Sequence, residues 1–396
     1  MGRDWRHQAR VARAPAQQYN PAVGSRALVL AVVLAHASVP AWAAPSLGLG
    51  AEVGPELDTN ATRVMSLQGP VSSGLMRMTG HASLRLRTAH HTFSVGGGGG
   101  GKVFWRDMAR AADEAVYHGD VAWGIRGAGS AAWLGATIYD AYQRESTRDF
   151  RTEGLTVQYA VDGPASTRLG AVASYRGLQY KPDERYNFHG PAGGVTLDWR
   201  LTSGRGDAVV DWTVRLQYSA GARFFAGQAI AIPSRCYRLD ALCAEDVARQ
   251  DLNHQVRAEV QYLGNADAAL SYSAEINRSN SYGETYHRHA IGLKFTASLL
   301  AGIYLTAKGV LQLSRFRDPY LVSEVSNVSF VSIDDENRSS LVLQLARDLA
   351  EHWTLNLRYS LFVNESGAAA ATDPLAVGDF FRQTVFFGVR FEYGKS

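Results

Sequence analysis

His118 and Asp120 lie two residues apart, so a strand through them would put an imidazole and a carboxylate on one face. That pairing can orient a general base, and it is the one local candidate for hydrolysis; the sequence as a whole predicts no enzyme. Cys236 and Cys243, the two cysteines of the chain, have six residues between them. The spacing suits a small disulfide loop in an oxidising compartment and supplies too few ligands for a metal. His90 with His91, at a turn, and His287 with His289, at a strand start, read as polar interface residues. No metal and no cofactor is expected.

The strongest chemical signal is charge in register. Arg77, Arg85, Arg87, Arg168, Arg176, Arg200, Arg215, Arg257, Arg358 and Arg390 fall on the polar positions of alternating segments, as do Lys102, Arg126, Arg288, Lys294, Lys308 and Arg382. The acids read on that face are Glu52, Asp120, Asp198, Asp211, Glu259, Glu275 and Glu392. Sixteen bases against seven acids predict a cationic wall with a surplus of about nine after pairing, one that would favour anions. Most compensating acids fall outside the strands: Asp107, Asp113, Glu114, Asp149, Asp183, Glu184, Asp240, Glu245, Asp246, Asp334, Asp335 and Glu336. They read as solvated loop surface.

These side chains need strands to aim them. From Met76 to Arg87, apolar even positions (Met76, Met78, Ala82, Leu84, Leu86) alternate with polar odd ones (Arg77, Thr79, His81, Ser83, Arg85), a period of two that no helix has. The same reading gives strands at 46–57, 75–87, 92–104, 116–126, 132–144, 154–162, 167–180, 193–202, 208–221, 253–263, 268–277, 287–298, 302–316, 338–347, 353–363 and 382–394. Gly96–Gly101 makes the third the weakest. Connections alternate between short turns and long loops, the longest from about Ala222 to Leu252. Such asymmetry predicts an all-β fold: a transmembrane antiparallel up-and-down β-barrel of about 16 strands, with short periplasmic turns and long external loops. Soluble sandwiches and propellers have shorter strands and no reason to alternate their loops. Trp133, Tyr139, Trp199, Trp212, Tyr262, Trp353, Tyr359 and Tyr393 are assigned to the apolar sets, as interfacial girdles.

Residues 1–43 read as a signal peptide: five arginines, an apolar stretch from Ala27 to Ala35, then Ala41-Trp42-Ala43. Residues 44–396 are the barrel domain. Without the leader the chain carries 35 basic and 36 acidic residues, so its basicity is no sign of nucleic-acid binding. The cell outer membrane is the expected location, with its lipid and lipopolysaccharide as partners.

Two stretches, Leu47 to Asn60 and Asp335 through Trp353-Thr-Leu-Asn-Leu-Arg-Tyr-Ser360 to Phe387-Gly-Val-Arg-Phe-Glu-Tyr393, resemble barrel modules of polysaccharide-exporting outer-membrane proteins; surface-lipoprotein assembly barrels look similar. Two departures stand out: there is no helical-repeat periplasmic domain, and Gly394-Lys395-Ser396 follows the final strand. The resemblance implies an export conduit that works with a separate periplasmic partner. The function expected is a water-filled channel with a cationic lumen, passing anionic hydrophilic solutes or exporting a surface polysaccharide. The alternative is a non-conducting structural or assembly barrel whose external loops bind a surface partner.

Overall fold

A computed structural model describes residues 45–61, 70–144, 149–203, 210–231, 243–300, 302–317, 339–364 and 380–394. The predicted signal peptide lies outside them. The strands are β1 (Ser46–Asp58), β2 (Ser73–Arg87), β3 (His91–Phe104), β4 (Glu114–Gly127), β5 (Ser130–Gln143), β6 (Phe150–Asp162), β7 (Thr167–Tyr180), β8 (Phe188–Ser203), β9 (Val210–Ile230), β10 (Ala244–Leu263), β11 (Ala266–Ser279), β12 (Tyr286–Leu300), β13 (Ile303–Phe316), β14 (Ser339–Ala350), β15 (Trp353–Asn364) and β16 (Phe380–Tyr393). Each pairs antiparallel with its neighbours in sequence, and β1 pairs with β16 to close the barrel. Closure leaves no sheet edge, so every strand finds its backbone partners inside the ladder, as a hydrocarbon surrounding demands.

Residues opposite each other in an antiparallel ladder share a face, so register carries one face assignment from strand to strand. Val53 faces Met78 across β1 and β2, and Glu52 faces Thr79. Followed around the ring, this rule returns to β1 without conflict. On the outer face Val195, Leu270, Leu293, Leu311 and Leu313 are each more than half exposed, an apolar surface that lipid covers. The inner face carries most of the strand charges.

The glycine run forms a regular strand. Gly96 to Gly101 pair with Ser83 to Met78 on one side and with Asp120 to Ala115 on the other, and none has a positive φ. Paired on both flanks, the run does not depend on glycine's weak strand preference.

Three readings of the sequence need correction. The segment Ala222–Leu252 is for the most part strand: β9 runs to Ile230 and β10 starts at Ala244. Trp133 and Tyr139 sit on the inner face, opposite Gly124 and His118. In β5 both faces are apolar, Ala131, Trp133, Tyr139 and Ala141 against Ala132, Leu134 and Ile138. Alternation in polarity therefore cannot set its parity; pairing with Asp120 and Arg126 on β4 does. The third correction concerns the inner-face acids, taken up below.

Leu311 faces outward and its neighbour Gln312 inward, opposite Ala290. Arg at Leu311 is expected to cost folding free energy in bilayers, between the about 0 to 1 kcal/mol of an interfacial position and the about 2 to 4 kcal/mol of the midplane. Arg at Gln312 should fold as wild type. Urea titration of vesicle-refolded barrel, read by the gel shift between boiled and unboiled samples, measures both; equal midpoints would reverse the face assignment.

Candidate functional site

Register places all sixteen predicted bases on the inner face, as three cross-strand pairs illustrate: Arg77 opposite Lys102, Arg215 opposite Asp198, and Arg358 opposite Phe386. The acids are more numerous than the sequence reading allowed. Glu56, Asp58, Glu114, Asp162, Asp251, Asp267 and Asp348 join the seven expected, while Arg223 and Arg249 add to the bases. With Glu245, which follows Ala244 opposite outward Ile230, eighteen bases then face fifteen acids among the described strand residues, a surplus of three. Glu56 and Asp58 sit on even positions of β1 with Glu52, and their parity was readable.

Eleven of the sixteen bases are ion-paired, in two different settings. From mid-barrel toward the long-loop end the pairs are buried. Glu56, 1% exposed, lies between Arg77 at 3.4 Å and Lys102 at 3.3 Å. Two like charges directly opposite on β2 and β3 are tolerable because this carboxylate bridges them. Asp58 takes Arg382 at 2.6 Å, Glu275 takes Arg288 at 3.2 Å, and Arg358 reaches Glu52 across β16 at 3.8 Å. Arg249 joins Asp251 and Glu284 at 2.7 and 2.6 Å. Beside them the inner wall is apolar: Val116, Tyr139, Ala141, Phe150 and Leu178 form a buried cluster on β4 to β7.

Toward the short-turn end the pairs are more exposed. They are Arg215 with Asp198 and Arg200 with Asp211 at 2.7 Å, Arg257 with Glu259 and Lys294 with Asp267 at 2.6 Å, Arg168 with Asp162 at 3.6 Å, and Arg390 with Glu392. Such water-facing pairs contribute about 0 to 1 kcal/mol each. Their effect is to cancel charge in place.

Five bases have no carboxylate partner among the described residues: Arg85, Arg87, Arg126, Arg176 and Lys308. Three of them gather at the short-turn mouth, Arg85 and Arg87 at the end of β2 and Arg126 at the end of β4, all exposed. Between them β3 offers only Thr92 and Ser94 at the facing positions. Among the described residues no acid on β3 offsets their field.

His118 and Asp120 do share the inner face of β4, but lean onto bare backbone: a Cβ at Gly98 would strike the His118 ring, and one at Gly96 the Asp120 carboxylate. Each fills space above a glycine, and the two make no hydrogen bond to each other. Loop carboxylates are occupied: Asp113 accepts from the Phe104 amide and pairs with Arg144, Asp149 accepts from the Gln143 amide, and Asp183 is chelated by Arg185. That guanidinium holds the Asp183 carboxyl below its ordinary range. Among the described residues no group of His, Cys, Asp and Glu has the composition of a metal site.

Cys243 is disulfide-bonded, and the other cysteine of the chain, Cys236, lies outside the described residues. Both thiols should resist alkylation in native protein until reductant is added, with mass spectrometry counting the labels. Free thiols before reduction would overturn the pairing.

No family model matches the chain, and no curated protein matches it. Solved structures with a similar fold include a loop-deletion form of OmpT, an outer membrane protein of Vibrio cholerae (9% identity, 89% of this chain and 100% of that one, TM-score 0.39). Others are a bacterial polysaccharide outer membrane secretin (9%, 87% and 98%, 0.41) and OccAB1 of Acinetobacter baumannii (10%, 88% and 96%, 0.41). The shared feature is the architecture of outer-membrane β-barrels; likeness at this level says nothing of what passes through.

Proposed function

We propose that the chain is an outer-membrane channel whose cationic mouth favours anionic hydrophilic solutes. The observation that carries this reading is the group Arg85, Arg87 and Arg126 at the short-turn end, without carboxylate partners among the described residues. In barrels of this type that end faces the periplasm, and both ends of the sheet lie there. Low-dielectric walls lined by one sign of charge concentrate counter-ions between them. A small solute or the leading end of an acidic polysaccharide would meet the same field, which also suits delivery by a periplasmic partner.

The buried cluster on the inner face of β4 to β7 and the buried ion pairs on β1, β2, β15 and β16 favour a second reading. In it the long-loop half is packed and the barrel serves assembly or surface binding without conducting.

Planar-bilayer recordings separate the two. A channel gives discrete conductance steps with a reversal potential of anion sign in a salt gradient. The selectivity should strengthen as the Debye length grows from about 10 Å at 0.1 M to about 30 Å at 0.01 M. Cation selectivity would overturn the cationic mouth, and silence from demonstrably folded barrel would establish the assembly reading.

A further inference from the structure

The outer face of β11, β12 and β13 changes character abruptly near the long-loop end. On β11 the outward side chains run Leu270, Tyr272, Ala274, Ile276 and then Arg278; on β13 they run Leu305, Ala307, Leu311, Leu313 and then Arg315. On β12 between them, His287 stands opposite both Ile276 and Arg315. Arg317 lies just past the end of β13, its amide donating to the Thr285 carbonyl at 2.9 Å, while the Ser279 amide donates to the Thr285 hydroxyl at 3.1 Å. Together Ile276, Arg278, Ser279, Thr285, His287 and Arg317 line a cavity of about 560 Å³.

Three features point to its occupant. The level is set by hydrogen-bonded tyrosine–histidine pairs on the outer face: Tyr175 with His189 (2.8 Å), Tyr218 with His254 (2.9 Å) and Tyr272 with His289 (2.8 Å). Amphipathic rings of this kind settle where hydrocarbon meets headgroups, and the arginines begin just beyond. The cations there are exposed and have no carboxylate partner among the described residues. On the outer face of β5 and β6 the opposite holds, since Asp140 takes both Arg151 and Lys181 at 2.6 Å. Below the cavity, Ile276, Ile291, Leu311 and Leu313 give a continuous exposed apolar surface on the same three strands.

From this juxtaposition we infer that the cavity binds the phosphorylated headgroup of an acyl-chain glycolipid of the external leaflet, of the lipopolysaccharide class. The phosphate accepts charge-assisted hydrogen bonds from Arg278 and Arg317 in the cavity and from Arg315 beside it, with polar contacts from Thr285 and His287. Its acyl chains lie along Ile276, Ile291, Leu311 and Leu313. The inference rests on the membrane placement of the barrel and not on whether the barrel conducts.

The test is native mass spectrometry of the full barrel in neutral detergent, titrated with bis-phosphorylated lipid A, with dephosphorylated lipid A, and with inorganic phosphate. A one-to-one adduct with the phosphorylated lipid is expected. It should weaken at least tenfold in Arg278→Gln/Arg315→Gln/Arg317→Gln and about threefold in Arg317→Gln alone. These side chains are exposed and have no carboxylate partner among the described residues, so both variants should keep the wild-type gel shift on boiling; if the triple does not, the single variant carries the comparison. Equal retention of dephosphorylated lipid A, unchanged binding by a folded variant, or displacement of the lipid by millimolar inorganic phosphate would each overturn the proposal. Conductance of the triple variant should match wild type, so its failure and that of the channel reading are separately visible.

Discussion

Replacing Arg85, Arg87 and Arg126 with Glu is expected to invert the ion selectivity of the barrel. The change is six charge units, against an inner-face surplus of three among the described strand residues. It is concentrated at one mouth, where no acid on the facing strand competes with it. None of the three takes part in an ion pair among the described residues, so folding should be spared. A contrasting variant removes a neutralised pair, Arg215→Gln with Asp198→Asn, joined at 2.7 Å; it leaves net charge unchanged and should leave selectivity nearly unchanged. Reversal potentials in a tenfold salt gradient read both. The anion-side potential of wild type should change sign in the triple variant and do so more strongly at low salt. If the two variants shift selectivity equally, unpaired charge is not what governs permeation.

The second large effect concerns closure of the ring. Arg382 on β16 chelates Asp58 on β1, with Nε at 3.1 and 3.0 Å from the two carboxylate oxygens and Nη2 at 2.6 Å. Both side chains are nearly inaccessible to water, and the guanidinium lies over the Phe362 ring at 5.6 Å. Arg382→Met is expected to cost about 3 to 5 kcal/mol, because an uncompensated carboxylate stays buried at the seam. Asp58 also accepts from the Asn60 amide, an acceptor role that Asn can keep. The double variant Arg382→Met/Asp58→Asn should therefore recover a good part of the loss. The midpoint of urea unfolding in lipid vesicles measures it. A double variant no more stable than the single one would show that lost packing, not the stranded charge, carries the cost.

The outcome follows from how much each stretch of sequence constrains its own geometry. Strict polarity alternation, as in Met76–Arg87, fixed both strand and parity, because a residue offset by one would bury charge in lipid. Sixteen strands and the inward direction of Arg77, Arg85, Arg168, Arg215 and Arg390 were legible on that ground alone. Where both faces are apolar, as in β5, no such penalty operates, and Trp133 and Tyr139 took their side from hydrogen-bonded neighbours on β4. Gly96–Gly101 had no side chains to signal with, yet the two flanking strands impose extended pairing on it. Which bases are neutralised was a question of partners far apart in sequence: Arg382 meets Asp58 and Arg358 meets Glu52 only because the first and last strands become neighbours. The outward cavity of Arg278, His287 and Arg317 has the same origin. Sequence sets which way a side chain points from its own strand, since that follows from local chemistry against water or lipid. Which charges then stand together is decided by register and closure of the ring.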